Sequence, residues 1–210
     1  GVNNSAFGVS ALSANTSGSS LSAFGNNALA SNTVGLQNSA FGYYSLNANT
    51  TGNSNSAFGF ASLLNNTTGN NNSAFGLFSL TNNTTGFDNV ASGLGSLFSN
   101  TTGIKNVAVG HLALFFNTTA DENVAVGASA LYNNSTGSSN VAVGRRTLFT
   151  NTAGNGNSGF GHYALYNNTA SGNSAFGYLS MTSNTTGEYN AAFGLDALGF
   201  NTTGSRNVAM

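Results

Sequence analysis

The sequence predicts an all-β fold, a parallel β-solenoid (a β-roll or β-helix) of about twelve 17-residue coils. Three observations predict it. A tetrad of the SAFG or VAVG type ends at Gly8, Gly25, Gly42, Gly59, Gly76, Gly93, Gly110, Gly127, Gly144, Gly161, Gly177 and Gly194, and only the step from Gly161 to Gly177 departs from 17 residues, at 16. The period is too short for a two-helix repeat, which takes about 33 residues or more. Each unit also joins a short alternating segment to an Asn-Thr-Thr-Gly turn, where Gly and Asn accept φ > 0. The repeat fills residues 1–210, so the expectation is a single repeat domain with no linker.

The unit reads N-[SV]-A-[FV]-G-x-x-[AS]-L-x-x-N-T-T-G-x-x, numbered here 1 to 17. Positions 1 to 5 carry the strand. Ser at position 2 goes with Phe at position 4, as in Ser22/Phe24 and Ser56/Phe58; Val goes with Val, as in Val107/Val109 and Val124/Val126. Period-2 geometry puts both on one side, and similar summed volumes predict one packed layer. Val90/Ser92 breaks the rule and predicts looser packing there. Position 3 is Ala in every coil except at Gly159. So small a column predicts close approach by another surface, either a neighbouring chain or the opposite wall of a narrow coil.

Positions 7 to 10 form a second short apolar piece around Leu. Position 9 is Leu from Leu12 to Leu198, with Met181 as a volume-conserving substitute, and is predicted core. Each such side chain contributes about 1.5–3 kcal/mol when buried. Position 12 is Asn in all twelve coils, and position 1 is Asn in twelve of thirteen, Leu21 being the exception. Stacked Asn side chains can bond amide to amide along the axis. Glycosylation is the competing account of position 12, because N-x-[ST] occurs there nine times. Asn32, Asn151 and Asn168 keep the Asn without the hydroxyl, which a ladder explains and a sequon does not. The Thr column at position 13, which includes Thr67, Thr84 and Thr101, reads as the hydroxyl partner of the Asn turn or as an ice-matching surface.

Only 4% of the residues are charged, with net charge -1. Four Lys/Arg cannot build the basic stripe that a nucleic-acid binder needs. The absence of Cys excludes a disulfide scaffold or a thiolate-bound zinc. No apolar run approaches the ~18 residues of a membrane-spanning helix. The charges Asp88, Lys105, Asp121, Glu122, Arg145, Arg146, Glu188, Asp196 and Arg206 all fall at variable positions 6, 7, 16 or 17 and read as solvated surface. Asp121 and Glu122 are adjacent, a poor template for an acid/base pair across a cleft. His111 and His162 share position 6 three coils apart, roughly 14 Å along the axis at strand spacing, too far for one metal ion. No catalytic, cofactor-binding or metal-ligating residue is assigned, and the chain is expected not to be an enzyme.

Aromatics at variable positions, Tyr43, Tyr44, Phe60, Phe78, Phe87, Tyr163, Tyr178 and Tyr189, mark contact surfaces. A run at position 10, Phe98, Phe115, Tyr132, Phe149 and Tyr166, is expected in the core or a subunit interface rather than in a glycan-stacking surface.

The NVAVG segments Asn106–Gly110, Asn123–Gly127 and Asn140–Gly144, each followed by a position-9 Leu, carry a resemblance to a known family. The chain resembles the head repeats of YadA-like trimeric autotransporter adhesins, and more closely the NTAVGxxAL…NTTG arrays of bacterial surface and phage tail-fibre proteins. Its period is longer than the YadA-type unit. The resemblance implies a parallel β-roll, trimer formation and binding to host surfaces. The expectation is a structural repeat region of an extracellular fibre, filament or adhesin, a rod and attachment surface, uncapped and cut from a longer array. Its partners would be further copies, as a homotrimer or an end-to-end filament, and a host surface or glycan, with neither nucleic acid nor a membrane span. The runner-up is a binding module for ice or glycan. A triple β-spiral of three intertwined chains is the alternative fold; an axial rise of ~4.8 Å per repeat would mark the solenoid.

Overall fold

The computed structural model describes residues 1–210. The chain is a parallel β-solenoid of about twelve coils, divided into two compact units, Gly1–Lys105 and Asn106–Met210, each holding six. The first unit carries β1 (Ser5–Phe7), β2 (Ser22–Phe24), β3 (Ser39–Phe41), β4 (Ser56–Phe58), β5 (Ser73–Phe75) and β6 (Val90–Ser92). The second carries β7 (Val107–Val109), β8 (Val124–Val126), β9 (Val141–Val143), β10 (Ser158–Phe160), β11 (Ser174–Phe176), β12 (Ala191–Phe193) and β13 (Val208–Ala209).

Within each unit consecutive strands pair parallel and in register, position on position: Ala23 lies beside Ala40, and Ala125 beside Ala142. Such pairing of successive repeats in one chain defines a solenoid and leaves no room for the triple β-spiral. At Val90/Ser92 the register is also intact, Phe75 facing Ser92. What changes there is the outer face, where a serine follows the rings.

The strand's two faces are the reverse of the packed-layer expectation. Ala23, Ala40, Ala57, Ala74 and Ala91 at position 3 are fully buried, while positions 2 and 4 face outward. The close surface facing position 3 is the opposite wall of the solenoid, contributed by the preceding coil. A Cβ placed on Gly159 would meet Cγ2 of Thr147 and lie 3.7 Å from Leu148, which are positions 8 and 9 of the preceding coil. The core is therefore a thin seam of Ala against Leu, from Leu29 to Leu165 and Met181, with no room for a Phe.

The Leu segment is a turn, not a second strand. Positions 7 and 9 both take φ > 0, and the position-9 residues sit between 50° and 54° in every coil. A left-handed non-glycine residue costs about 1–2 kcal/mol, so burial of Leu and the stacked coils must hold it there. Coil-to-coil hydrogen bonds continue through this turn: Leu29 N–H donates to the Ser45 carbonyl at 3.1 Å, and Tyr44 N–H to the Asn26 carbonyl at 3.0 Å. This use of backbone N–H groups around the whole coil accounts for a sequence without Pro.

Position 5 needs Gly. Gly25, Gly42 and Gly59 adopt φ of 136–142°, and a Cβ there would come under 3.0 Å from the next coil's carbonyl. Position 15 is tight for space alone and has no positive φ, and Ala120 and Ala170 do stand in that column.

Candidate functional site

Two Asn ladders run along each unit. At position 12, Asn49 Nδ2 donates to Asn32 Oδ1 at 2.8 Å, Asn66 to Asn49 at 2.9 Å, and Asn83 to Asn66 at 2.8 Å. The same NH2 gives its other proton to the position-15 carbonyl of its own turn, as Asn66 does to Gly69 at 3.0 Å. At position 1, Asn72 Nδ2 bonds the Gly86 carbonyl at 2.9 Å, and Asn55 Oδ1 accepts the Asn72 backbone N–H at 3.0 Å. The position-12 amides from Asn32 to Asn100 are fully buried with both protons engaged, so the sequons among them, from Asn49 to Asn100, are closed in the folded chain. Leu21 replaces one rung with an apolar side chain and keeps only a backbone bond to Asn4 Oδ1.

Position-13 hydroxyls such as those of Thr67 and Thr84 are committed too, though not to the Asn. Thr67 donates to the Thr84 carbonyl at 3.1 Å, and Thr84 to the Thr101 carbonyl at 3.0 Å. The exposed Thr column is the neighbouring position 14, with Thr51, Thr68, Thr85 and Thr102.

The outer face of the strands carries stacked rings. In the first unit Phe24, Phe41, Phe58 and Phe75 stack face to face, with centroids 4.8 to 5.2 Å apart. Position 6 adds Tyr43 on Phe60 at 5.4 Å. A hydrogen bond with Tyr44 holds the Tyr43 phenol above its ordinary pKa. The second unit stacks Phe160, Phe176 and Phe193. Of the variable-position aromatics, Phe78, Phe87, Tyr178 and Tyr189 are also exposed, whereas Tyr44 and Tyr163 are half-buried.

The position-10 run lies outside the core, contrary to the first of its two expected places. Phe115, Tyr132, Phe149 and Tyr166 are half-buried and stack at 5.2 to 5.5 Å along the edge of the second unit. Their faces cover one another, so the stack presents ring edges outward.

One concave site adjoins this stack. Coil 8 carries small residues at positions 6 and 7, Ala128 and Ser129, between the larger His111/Leu112 and Arg145/Arg146 of the coils on either side. The resulting notch of about 380 Å³ is completed by Tyr132 and Phe149. Arg146 lies 5.5 Å over the Phe149 ring and donates to the Tyr163 hydroxyl at 3.3 Å. Arg145 Nη1 is 3.1 Å from His162 Nε2, and its guanidinium is 5.8 Å from the Tyr163 centroid. None of these partners is a carboxylate. His111 thus lines the notch, while His162 braces Arg145 one coil beyond it. Asp121 and Glu122 stay on a loop, with Asp121 N–H donating to Ser138 Oγ at 3.1 Å. No three His, Cys, Asp or Glu side chains gather where a metal ion could be held, and no helix is long and apolar enough to cross a membrane.

The notch escaped the sequence reading because it uses three coils' variable positions. The signal was there: at a spacing of 17, small residues at 128 and 129 fall between bulky pairs at 111/112 and 145/146.

No family model matches the chain, and neither does any curated protein or solved structure.

Proposed function

We propose that this chain is a structural repeat region of an extracellular fibre or adhesin, a rod and attachment surface that associates with further copies of itself. The observation that carries the proposal is the apolar stripe on the outer strand face. Phe24, Phe58 and Phe75 keep 36–43% of their surface exposed, with Tyr43, Phe60, Leu77 and Leu94 alongside at position 6. Continuous exposed apolar stripes mark association surfaces. A chain with 4% charged residues offers little repulsion to a second copy laid along the stripe. This reading assigns the chain no catalysis.

Sedimentation velocity and electron microscopy test it. The expected result is an elongated trimer or filament. Replacing Phe58 and Phe75 with Ser should release monomers while the melting transition persists. Globular, monodisperse monomers of the unaltered chain would overturn the proposal, and unchanged assembly of the double variant would remove the stripe as its interface.

A further inference from the structure

We propose that the notch across coils 7 to 9 binds an acidic sugar, held by its carboxylate or sulfate. Two of the chain's four Lys/Arg side chains meet there, with rings, a phenol and an imidazole as their contacts. A guanidinium has five N–H donors in a planar fork. Arg146 spends one on Tyr163, and Arg145 directs only Nη1 to His162 and Tyr163. The remaining donors match an oxyanion bidentately.

The surroundings favour the same charge. Because Tyr132 and Phe149 stack on each other at 5.2 Å, they turn edges rather than faces outward. An aromatic edge is the positive part of the ring quadrupole. The remaining lining suits a sugar ring: Leu112 and Ala128 offer apolar surface, and Ser129, Tyr132 and His111 carry groups that bond hydroxyls. At about 380 Å³ the notch has the size of small-molecule sites. Stacking of a sugar on ring faces, the usual aromatic mode, is closed here, so the anionic group is the primary handle. The notch lies within one unit of one chain.

Isothermal titration calorimetry of the full chain at low salt tests the site with four probes: inorganic sulfate, free glucuronate, a sulfated disaccharide and neutral glucose. The expected result is saturable binding of glucuronate and the disaccharide, weakened tenfold or more by Arg146→Gln and by Arg145→Gln. Ala128→Leu fills the notch and should abolish binding without moving the melting temperature. Arg206→Gln, which removes a cation elsewhere, should leave binding unchanged. No binding by the unaltered chain would overturn the proposal, as would equal loss in Arg206→Gln or full binding by Ala128→Leu. Sulfate binding as tightly as the disaccharide would reduce the site to a free-anion site and overturn its assignment to a sugar.

Discussion

A Cβ on Gly159 would stand 2.5 Å from Cγ2 of Thr147. Gly159 is the one departure from Ala at position 3, and Thr147 is the one Thr at position 8, where other coils carry Ala or Ser. The two departures compensate each other across the seam of one coil on the next. The Thr147 hydroxyl donates to the Gly161 carbonyl at 2.6 Å, which fixes the rotamer that sends its methyl towards Gly159.

Gly159→Ala alone should therefore destabilise the second unit by about 1–3 kcal/mol through overpacking. Thr147→Ala alone should cost about 1 kcal/mol for the gap it leaves. The double variant recreates the Ala-on-Ala arrangement of Ala130 and Ala142 and should melt near the unaltered chain, a favourable coupling above about 1 kcal/mol. Calorimetry on the four proteins measures it. Additive losses would separate the two residues.

The Asn ladder makes an opposite pair of predictions. Asn83 donates to Asn66 Oδ1 and the Gly86 carbonyl, and accepts from Asn100. Asn83→Leu strands Asn66 Oδ1 and an Asn100 proton in a buried seam, at about 1–3 kcal/mol for each orphaned group. Leu21→Asn works the other way, by supplying Oδ1 to the side-chain NH2 of Asn38, which now donates only to the Gly52 carbonyl. It should raise the midpoint of thermal unfolding, followed by far-ultraviolet circular dichroism. A fall on Leu21→Asn would show that the apolar rung is worth more than the ladder.

The period, the parallel solenoid, the Leu seam and the Asn ladders were all legible in the sequence, because each is a column repeated in nearly every coil. Period-2 alternation also told correctly that positions 2 and 4 share a side. It did not tell which side is inside. Phe58 is more apolar than Ala57, and apolarity alone sends the ring inward. The coil is too narrow for that, and its width is set by backbone hydrogen bonds that composition does not encode. The left-handed Leu97, at φ 51°, was hidden for a related reason. Leu has no local preference for that conformation, and only the stacked coils impose it. The notch combines residues that are variable by column, so averaging coils into a consensus erased it.

Position 17 isolates the cost of the left-handed conformation. Gly156 has φ 64°, and no atom lies within 4 Å of where a Cβ would be placed. Gly156→Ala thus introduces strain with no clash. The expected cost is about 0.5–1 kcal/mol, the left-handed penalty of roughly 1–2 kcal/mol less the unfolded-state entropy that Ala removes. Ser139, one coil earlier at φ 58° and exposed, should gain a similar amount on change to Gly. Equal melting temperatures for Gly156→Ala and the unaltered chain would mean that the turn relaxes when substituted.

The short coil leaves a defect that can be repaired. Coil 10 runs from Asn157 to Gly172 and lacks one residue of its Asn turn. Asn168 accordingly reaches the Ala170 carbonyl at 2.8 Å, two residues on, where other coils span three. Asn168 does not extend to the preceding rung, and Asn151 Oδ1 is left as a buried side-chain acceptor without a partner. The ladder resumes beyond it, with Asn184 donating to Asn168 Oδ1 at 2.7 Å. Inserting one Thr between Thr169 and Ala170 restores the 17-residue unit and should let Asn168 donate to Asn151. Satisfying that acceptor is worth about 1–3 kcal/mol. For a chain of this size each kcal/mol raises the melting temperature by about 2–4 °C. The same insertion in coil 8, between Ser135 and Thr136, would lengthen a turn whose Asn134 already donates to Asn117 and Gly137, and should lower it. Opposite shifts for the two insertions would identify the missing residue as the origin of the defect; a loss in both would show that the 16-residue turn is the better-packed one.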